Sequence, residues 1–232
     1  LDDSFGNWPS NRMARPVKDF SAAVPAQKSR VILVDRPGSP QSFIMAGKVI
    51  DAKGTDDTVA LNTANDILGG NFLGRINMNL REEHGYTYGA GSGFAFRRGA
   101  GPFQIATGVR TDVTAPAVSE ILKEVRRMND APASAEELAL AKDGMTRSLA
   151  SDFQTSANSV GVFGNLYIYD LGLDYFRGYA AGVNAVTAEQ ALAAARKYVA
   201  PGRLVVIAIG DRTRIEPGLK ELGVGPVEVF TP

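Results

Sequence analysis

The chain has 232 residues, 44% of them apolar, enough for a sizeable core in one large domain or in one domain with a tail. Its 25 Lys+Arg balance 25 Asp+Glu, and a neutral chain lacks the positive excess that a nucleic-acid or polybasic membrane-surface binder needs. Cysteine is absent, which excludes disulfides, thiol catalysis and Cys-ligated zinc or iron–sulfur centres.

Residues 1–28 are rich in Pro, Gly, Ser and Asn, with few apolar anchors beyond Phe5, Trp8 and Phe20. They read as a linker or tail from a preceding domain, with Trp8 packed on a domain surface. Leu1-Asp2-Asp3 is acidic with no apolar stretch behind it, so no signal peptide is read there. Without an initiating Met the sequence reads as a portion of something longer. The domain proper is expected over 29–232.

Val31 to Val34 is a β-branched run stopped by Asp35-Arg36-Pro37-Gly38, a strong turn signal, and Gln41 to Ile50 reads as a second strand. Thr58 to Leu68 carries Val59, Leu61, Ala64, Ile67 and Leu68 at helical spacing, with Thr55 or Asp56 as N-cap and Gly69-Gly70 as stop. A second helix is expected over Leu73 to His84, and strands over 91–97 and 102–110 form a hairpin. Further helices are expected over Ala115 to Met128, over Ala135 to Leu149 with a Ser134/Glu137 capping box, and over Ser151 to Leu171. Tyr175 to Ala181 and Ala188 to Tyr198, the latter capped by Thr187, follow. Leu204 to Ile209 is a last strand and Arg212 to Leu222 a last helix. That strand is also an apolar run of six residues, far short of the ~20 that a membrane helix needs. About five strands and about eight helices in this order, without βαβαβ alternation, predict an α+β two-layer sandwich. Its sheet is expected to be mainly antiparallel, and neighbouring strands to pair as hairpins.

The stretch Leu68 to Gly93, LGGNFLGRINMNLREEHGYTYGAGSG, concentrates the directional polar groups. His84 is the only histidine, so an HExxH motif or its inverse cannot be built, and Glu82 and Glu83, adjacent on a helix, diverge too far to chelate one ion with it. A helix-end imidazole stopped by Gly85 is the better reading. Gly89 to Gly93 imitates a dinucleotide loop, but a strand follows it where a helix should, and glycines that let a second backbone approach fit better. Arg81, Tyr86 and Tyr88 remain. A guanidinium fork suits carbonyls and carboxylates, and a phenol beside it suits an oxyanion. In an extended segment Tyr86 and Tyr88 point the same way. The competing reading is an Arg–Glu surface pair with half-buried strand tyrosines.

The same stretch resembles the C-terminal-type domain of the M16 (insulinase or pitrilysin-like) zinc peptidases. The resemblance rests on Leu68-Gly69-Gly70, Arg75-Ile76, Leu80-Arg81-Glu82-Glu83, Gly85 and Tyr88, with support from 36–42 and from Phe5-Gly6-Asn7-Trp8-Pro9. It implies a fold of the LuxS/MPP-like metallohydrolase type and a divided active site. Arg81 would hold the substrate backbone and Tyr88 would donate to the tetrahedral intermediate; Tyr86 matches a variable position and ranks below them as a substrate contact. The chain has no HxxEH, so the resemblance puts zinc on a partner domain or subunit and leaves this chain inactive alone. It implies a peptide substrate and an HxxEH-bearing M16 partner, and with the absence of cysteine it points to a periplasmic location, otherwise a cytoplasmic one; charge and hydropathy already speak against a nucleic-acid partner and a membrane span. The alternative it allows is a non-catalytic, polypeptide-binding or scaffolding relative.

Overall fold

A computed structural model of the chain describes residues 2–7, 19, 24, 27–51 and 57–231. The packing of Trp8 and the N-cap at Thr55 or Asp56 lie outside the described residues, as does most of the segment read as a linker. Within that segment the described part includes one helical turn, α1 (Asp2–Phe5).

The strands are β1 (Arg30–Asp35), β2 (Gln41–Ile50), β3 (Ala90–Phe94), β4 (Gly101–Arg110), β5 (Val205–Gly210) and β6 (Val227–Phe230). They form one sheet in the order β3-β4-β2-β5-β1-β6. β3/β4, β4/β2 and β2/β5 are antiparallel, whereas β5/β1 and β1/β6 are parallel. The α+β class is therefore as expected, and the sheet is mixed.

Two details of the sheet differ from the sequence reading. The successive strands β1 and β2 do not form a hairpin, because β5 lies between them, with Leu33 opposite Ala208 on one side and Ile44 opposite Ala208 on the other. A turn at Asp35–Gly38 reverses the chain but does not choose which strand fills the space beside it. The extra strand β6 is the Val-Glu-Val-Phe tail. Its period-two pattern is too short to stand as a strand until β1 offers it a backbone edge.

Helices cover one face of the sheet. α2 (Thr58–Asn65) continues into a π-helical turn over Asp66–Gly70, and α3 (Arg75–Asn77) into another over Met78–Glu83. Then come α4 (Thr114–Asp130), α5 (Ala135–Ser151), α6 (Ser156–Ile168), α7 (Tyr179–Ala185), α8 (Ala188–Tyr198) and α9 (Arg212–Glu221). The expected capping boxes are present at Ser134/Glu137 on α5, and the cap at Thr187 is completed by Gln190 on α8. The single helix expected over Ser151 to Leu171 is broken after α5; Thr155 caps α6 by accepting from Asn158 N–H at 3.1 Å.

The core lies between the two layers. Val31, Leu33, Ile44, Phe103, Ile105 and Val206 from alternate strand positions meet Leu61, Ile76, Leu80, Val118, Ile121 and Ala195 from the helices. Their neighbours on the other sheet face, such as Ile32, Val34, Met45 and Ile207, are only half-buried, and Phe43 is exposed. The period-two alternation thus marks one packed and one open face.

Candidate functional site

The site region is the bent path from α2 to β3, and close backbone packing shapes it. A Cβ on Gly69 would come within 2.9 Å of Ser92 Oγ and 3.1 Å of Ser92 N, and one on Gly74 within 2.8 Å of Gly69 Cα. These glycines let the π-helical turn 66–70 lie directly on β3; of the glycines in 89–93 read as admitting a second backbone, Gly91 does so, a Cβ there coming 3.3 Å from Gly69 O, whereas one on Gly93 meets nothing within 4 Å. Asn65 secures the contact by accepting from Ser92 Oγ at 2.8 Å and donating to Ser92 O at 3.3 Å.

The next helical segment is held by buried polar side chains. Arg75, whose side chain is 6% exposed, donates through Nε and Nη2 to the two carboxylate oxygens of Glu137 at 2.6 and 2.7 Å. This fork-to-fork pair is the strong form of charge-assisted hydrogen bond. Glu137 also accepts from Ser134 N–H in the α5 capping box, and the Arg75 guanidinium first, with that backbone donor, holds its carboxyl below the ordinary value against the opposing effect of burial. Asn77 donates to Phe72 O at 2.7 Å and accepts from Ala90 N–H at 2.9 Å, tying three segments together. Asn79 donates to Glu120 at 2.8 Å and to Glu124 at 3.3 Å, both on α4, while its own Oδ1 is buried with no hydrogen-bond partner among the described residues. Arg75 entered the sequence reading only as part of the family pattern and Glu137 only as a cap; their pairing, and Asn77 and Asn79, escaped it. The available signal was the set Asn71, Asn77 and Asn79 in a helical stretch, since short amide side chains there tend to serve backbone or buried groups.

Arg81 lies on the second π-helical turn, with Ile76 and Leu80 buried behind it. Its side chain is 36% exposed, pairs with the adjacent Glu82 at 2.8 Å and places Cζ 4.6 Å from the centre of the Phe72 ring. The turn ends as read: Gly85 takes φ +62° and donates to Arg81 O at 3.1 Å. His84 stacks on Tyr86 with ring centres 4.9 Å apart, and its Nε2 is 3.8 Å from Glu120. Among the described residues no group of three or more His, Cys, Asp or Glu side chains is placed to hold a metal ion. The residues present do not fit a catalytic zinc, which usually takes three protein ligands.

Tyr86 and Tyr88 do not share one environment. Tyr86 N–H bonds to Leu80 O at 2.8 Å and its ring packs on the core, whereas Tyr88 is 94% exposed. The segment is a bend, not an extended strand, so the period-two expectation fails there. Yet the backbone around Tyr88 is pinned. Thr87 Oγ1 lies 2.7 Å from Gly108 O and accepts from Gly89 N–H at 3.0 Å, and the Thr107 hydroxyl on β4 is 3.0 Å from both Thr87 Oγ1 and Gly89 O. Arg81 and Tyr88 are thus presented on consecutive, well-anchored turns, with Tyr86 folded inward between them.

A cleft of about 990 Å³ lies elsewhere. It lies between α2, the β3–β4 turn and α6, and includes neither Arg81 nor Tyr88. α6 on one wall buries only Leu166, and the lining holds an exposed Arg98–Asp170 ion pair at 3.4 Å and the Tyr169 hydroxyl, which donates to Phe96 O at 3.0 Å.

A family model described as the peptidase M16 inactive domain matches residues 1–145. Among solved structures, the peptidase M16 inactive domain from Pseudomonas fluorescens is 28% identical with a TM-score of 0.73, covering 82% of this chain and 45% of that one. A protease from Helicobacter pylori is 17% identical with a TM-score of 0.78, covering 90% of this chain and 50% of that one. The periplasmic protease PqqL from Escherichia coli is 16% identical with a TM-score of 0.61, over 80% of this chain and 21% of that one. The last two likenesses are of fold. The chain spans about half the length of the first two structures. No curated protein matches it. No helix among the described residues is long and apolar enough to cross a membrane.

Proposed function

The chain belongs to the peptidase M16 inactive-domain family, and from that premise we propose that it supplies the substrate-holding side of a zinc peptidase active site. In this reading Arg81 grips a backbone carbonyl of a peptide, and the Tyr88 hydroxyl donates a hydrogen bond to the oxyanion that forms when that peptide is attacked. Tyr86 braces the segment from behind. Zinc and the water-activating base belong to an HxxEH-bearing M16 domain or subunit. Residues 1–28 connect to a preceding domain, and the location is periplasmic, in keeping with the absence of cysteine and with the fold shared with the periplasmic protease.

One observation carries the proposal. Tyr88 is 94% exposed although Thr87 before it donates to Gly108 O on β4 and Gly89 after it accepts from the Thr107 hydroxyl on β4. A surface Arg–Glu pair accounts for Arg81 and Glu82, and half-burial accounts for Tyr86, but neither accounts for a phenol held out on a rigid turn. Preorganised donors gain their effect from being fixed before the charge develops. The alternative, a non-catalytic polypeptide-binding or scaffolding relative, draws on the Arg81–Glu82 pair, which a purely structural surface also contains.

The test joins this chain to its HxxEH-bearing partner and follows peptide cleavage. Tyr88→Phe removes one transition-state donor and lowers kcat on the order of 10²–10³-fold with the fold unchanged. Undiminished cleavage by that variant removes Tyr88 from the mechanism. A wild-type pair that binds peptide without cutting it supports the scaffolding reading.

A further inference from the structure

We propose that Phe72 and Leu73 form, beside Arg81, an apolar subsite that receives a bulky apolar side chain of the polypeptide whose carbonyl Arg81 holds. The inference rests on the reading of Arg81 given above and adds a substrate preference to it.

Phe72 is 60% exposed and Leu73 52%. Isolated exposed apolar residues are common and signify little. These two are adjacent, and the backbone that carries them is held from several sides. Asn71 Oδ1 accepts from Leu73 N–H at 2.7 Å, and Asn71 Nδ2 donates to the Asp66 carboxylate at 2.6 Å. Gly74 N–H bonds to Asn71 O at 3.1 Å, and Asn77, itself 1% exposed, donates to Phe72 O at 2.7 Å. Gly74 packs so tightly on Gly69 that the turn has no room to sink further. With the backbone fixed from both sides, the Phe72 and Leu73 side chains stay outside.

Phe72 also serves Arg81. The guanidinium carbon stands 4.6 Å from the ring centre, in cation–π range, so the ring supports the fork from one side. Nη1 is engaged by Glu82, and the remaining guanidinium donors carry no protein hydrogen bond among the described residues. The guanidinium that carries these free donors thus stands beside an apolar face, with its Cζ 4.6 Å from the Phe72 ring centre. An extended polypeptide advances by about 3.3–3.6 Å per residue. A carbonyl gripped by Arg81 therefore brings the side chain of that residue or the next one over Phe72 and Leu73. A leucine, methionine or phenylalanine gains by covering that face, whereas an acidic side chain meets Glu82 and Glu83, both exposed there. Partial burial of such a side chain corresponds to roughly tenfold in affinity.

The experiment uses the 232-residue chain and two fluorescent extended peptides, identical except for Phe or Ser at one central position. Binding is read by anisotropy for wild type, for Phe72→Ser/Leu73→Ser and for Arg81→Ala, with thermal unfolding as a check on folding. The proposal expects wild type to bind the Phe peptide roughly tenfold tighter than the Ser peptide. The double variant should bind both at the Ser-peptide level, and Arg81→Ala should weaken both by the same factor. Equal binding of the two peptides by wild type, or a preference that survives in the double variant, overturns the subsite while leaving Arg81 its role. Binding that ignores Arg81→Ala, or none at millimolar peptide, overturns both readings. Hydroxyl-radical footprinting of the complex with the HxxEH-bearing partner supplies one more outcome. Protection of Phe72 there without any peptide would assign this face to the contact between domains and end the proposal.

Discussion

Arg75 and Arg81 stand on the same short helical path and have opposite fates. Arg75 is 6% exposed and locked in a two-pronged pair with Glu137, 62 residues away in the chain. Arg81 is 36% exposed, and its carboxylate partner is the adjacent residue, Glu82. A partner distant in sequence joins two parts of the fold, and removing it strands a charge in the interior. A neighbouring partner joins nothing and can be exchanged for a ligand. The pair teaches that two arginines of one motif differ in how much the fold depends on them.

The sharpest test of this contrast is Glu137→Ala. It leaves the Arg75 guanidinium buried without a counter-charge and opens the α5 capping box, so it should cost about 3–5 kcal/mol in denaturant unfolding. A loss below about 1 kcal/mol would mean that the buried pair is dispensable, and the contrast with Arg81 would collapse. Asn79→Ala comes next. It withdraws the donor shared by Glu120 and Glu124 beneath the Arg81 turn, with an expected cost of about 1–3 kcal/mol by the same measurement.

Acid titration sharpens the comparison further. The Glu137 carboxyl is held below the usual 4.5, so the folded state binds fewer protons than the unfolded one in that range. Its contribution is complete above about 4.5 and is lost as pH falls through the depressed value. The stability difference between wild type and Glu137→Gln should therefore shrink as pH drops from neutral towards 3, read from urea midpoints. A constant gap would assign the effect to packing alone. The smallest change is expected from Arg81→Ala, within about 0.5 kcal/mol of wild type.

Much of the scaffold was legible in the sequence. The bounds of β2, the capping box of α5, the Thr187 cap of α8, the antiparallel β3/β4 pair and the Gly85 stop all follow from local chemistry. Turn residues, caps and apolar periods act within a few positions of one another. Of the candidate site, Arg81 and Tyr88 could be named, but the inward turn of Tyr86 could not. It depends on a bend pinned by Thr87 and Thr107, residues that meet only when β3 pairs with β4. The clamps at Glu137, Glu120 and Glu124 were equally invisible, because each reaches across the helical layer.

What the sequence determined by itself is the α+β class, most of its elements, and the crowding of Gly, Arg and Tyr between Leu68 and Gly93. Only the tertiary structure decided that β5 separates β1 from β2, that β6 extends the sheet, and that Arg75 is buried while Arg81 is presented. Local periodicity fixes which face of an element is apolar. It is blind to which distant strand or carboxylate will meet that face, since the contact is paid for by burial shared between segments far apart in the chain.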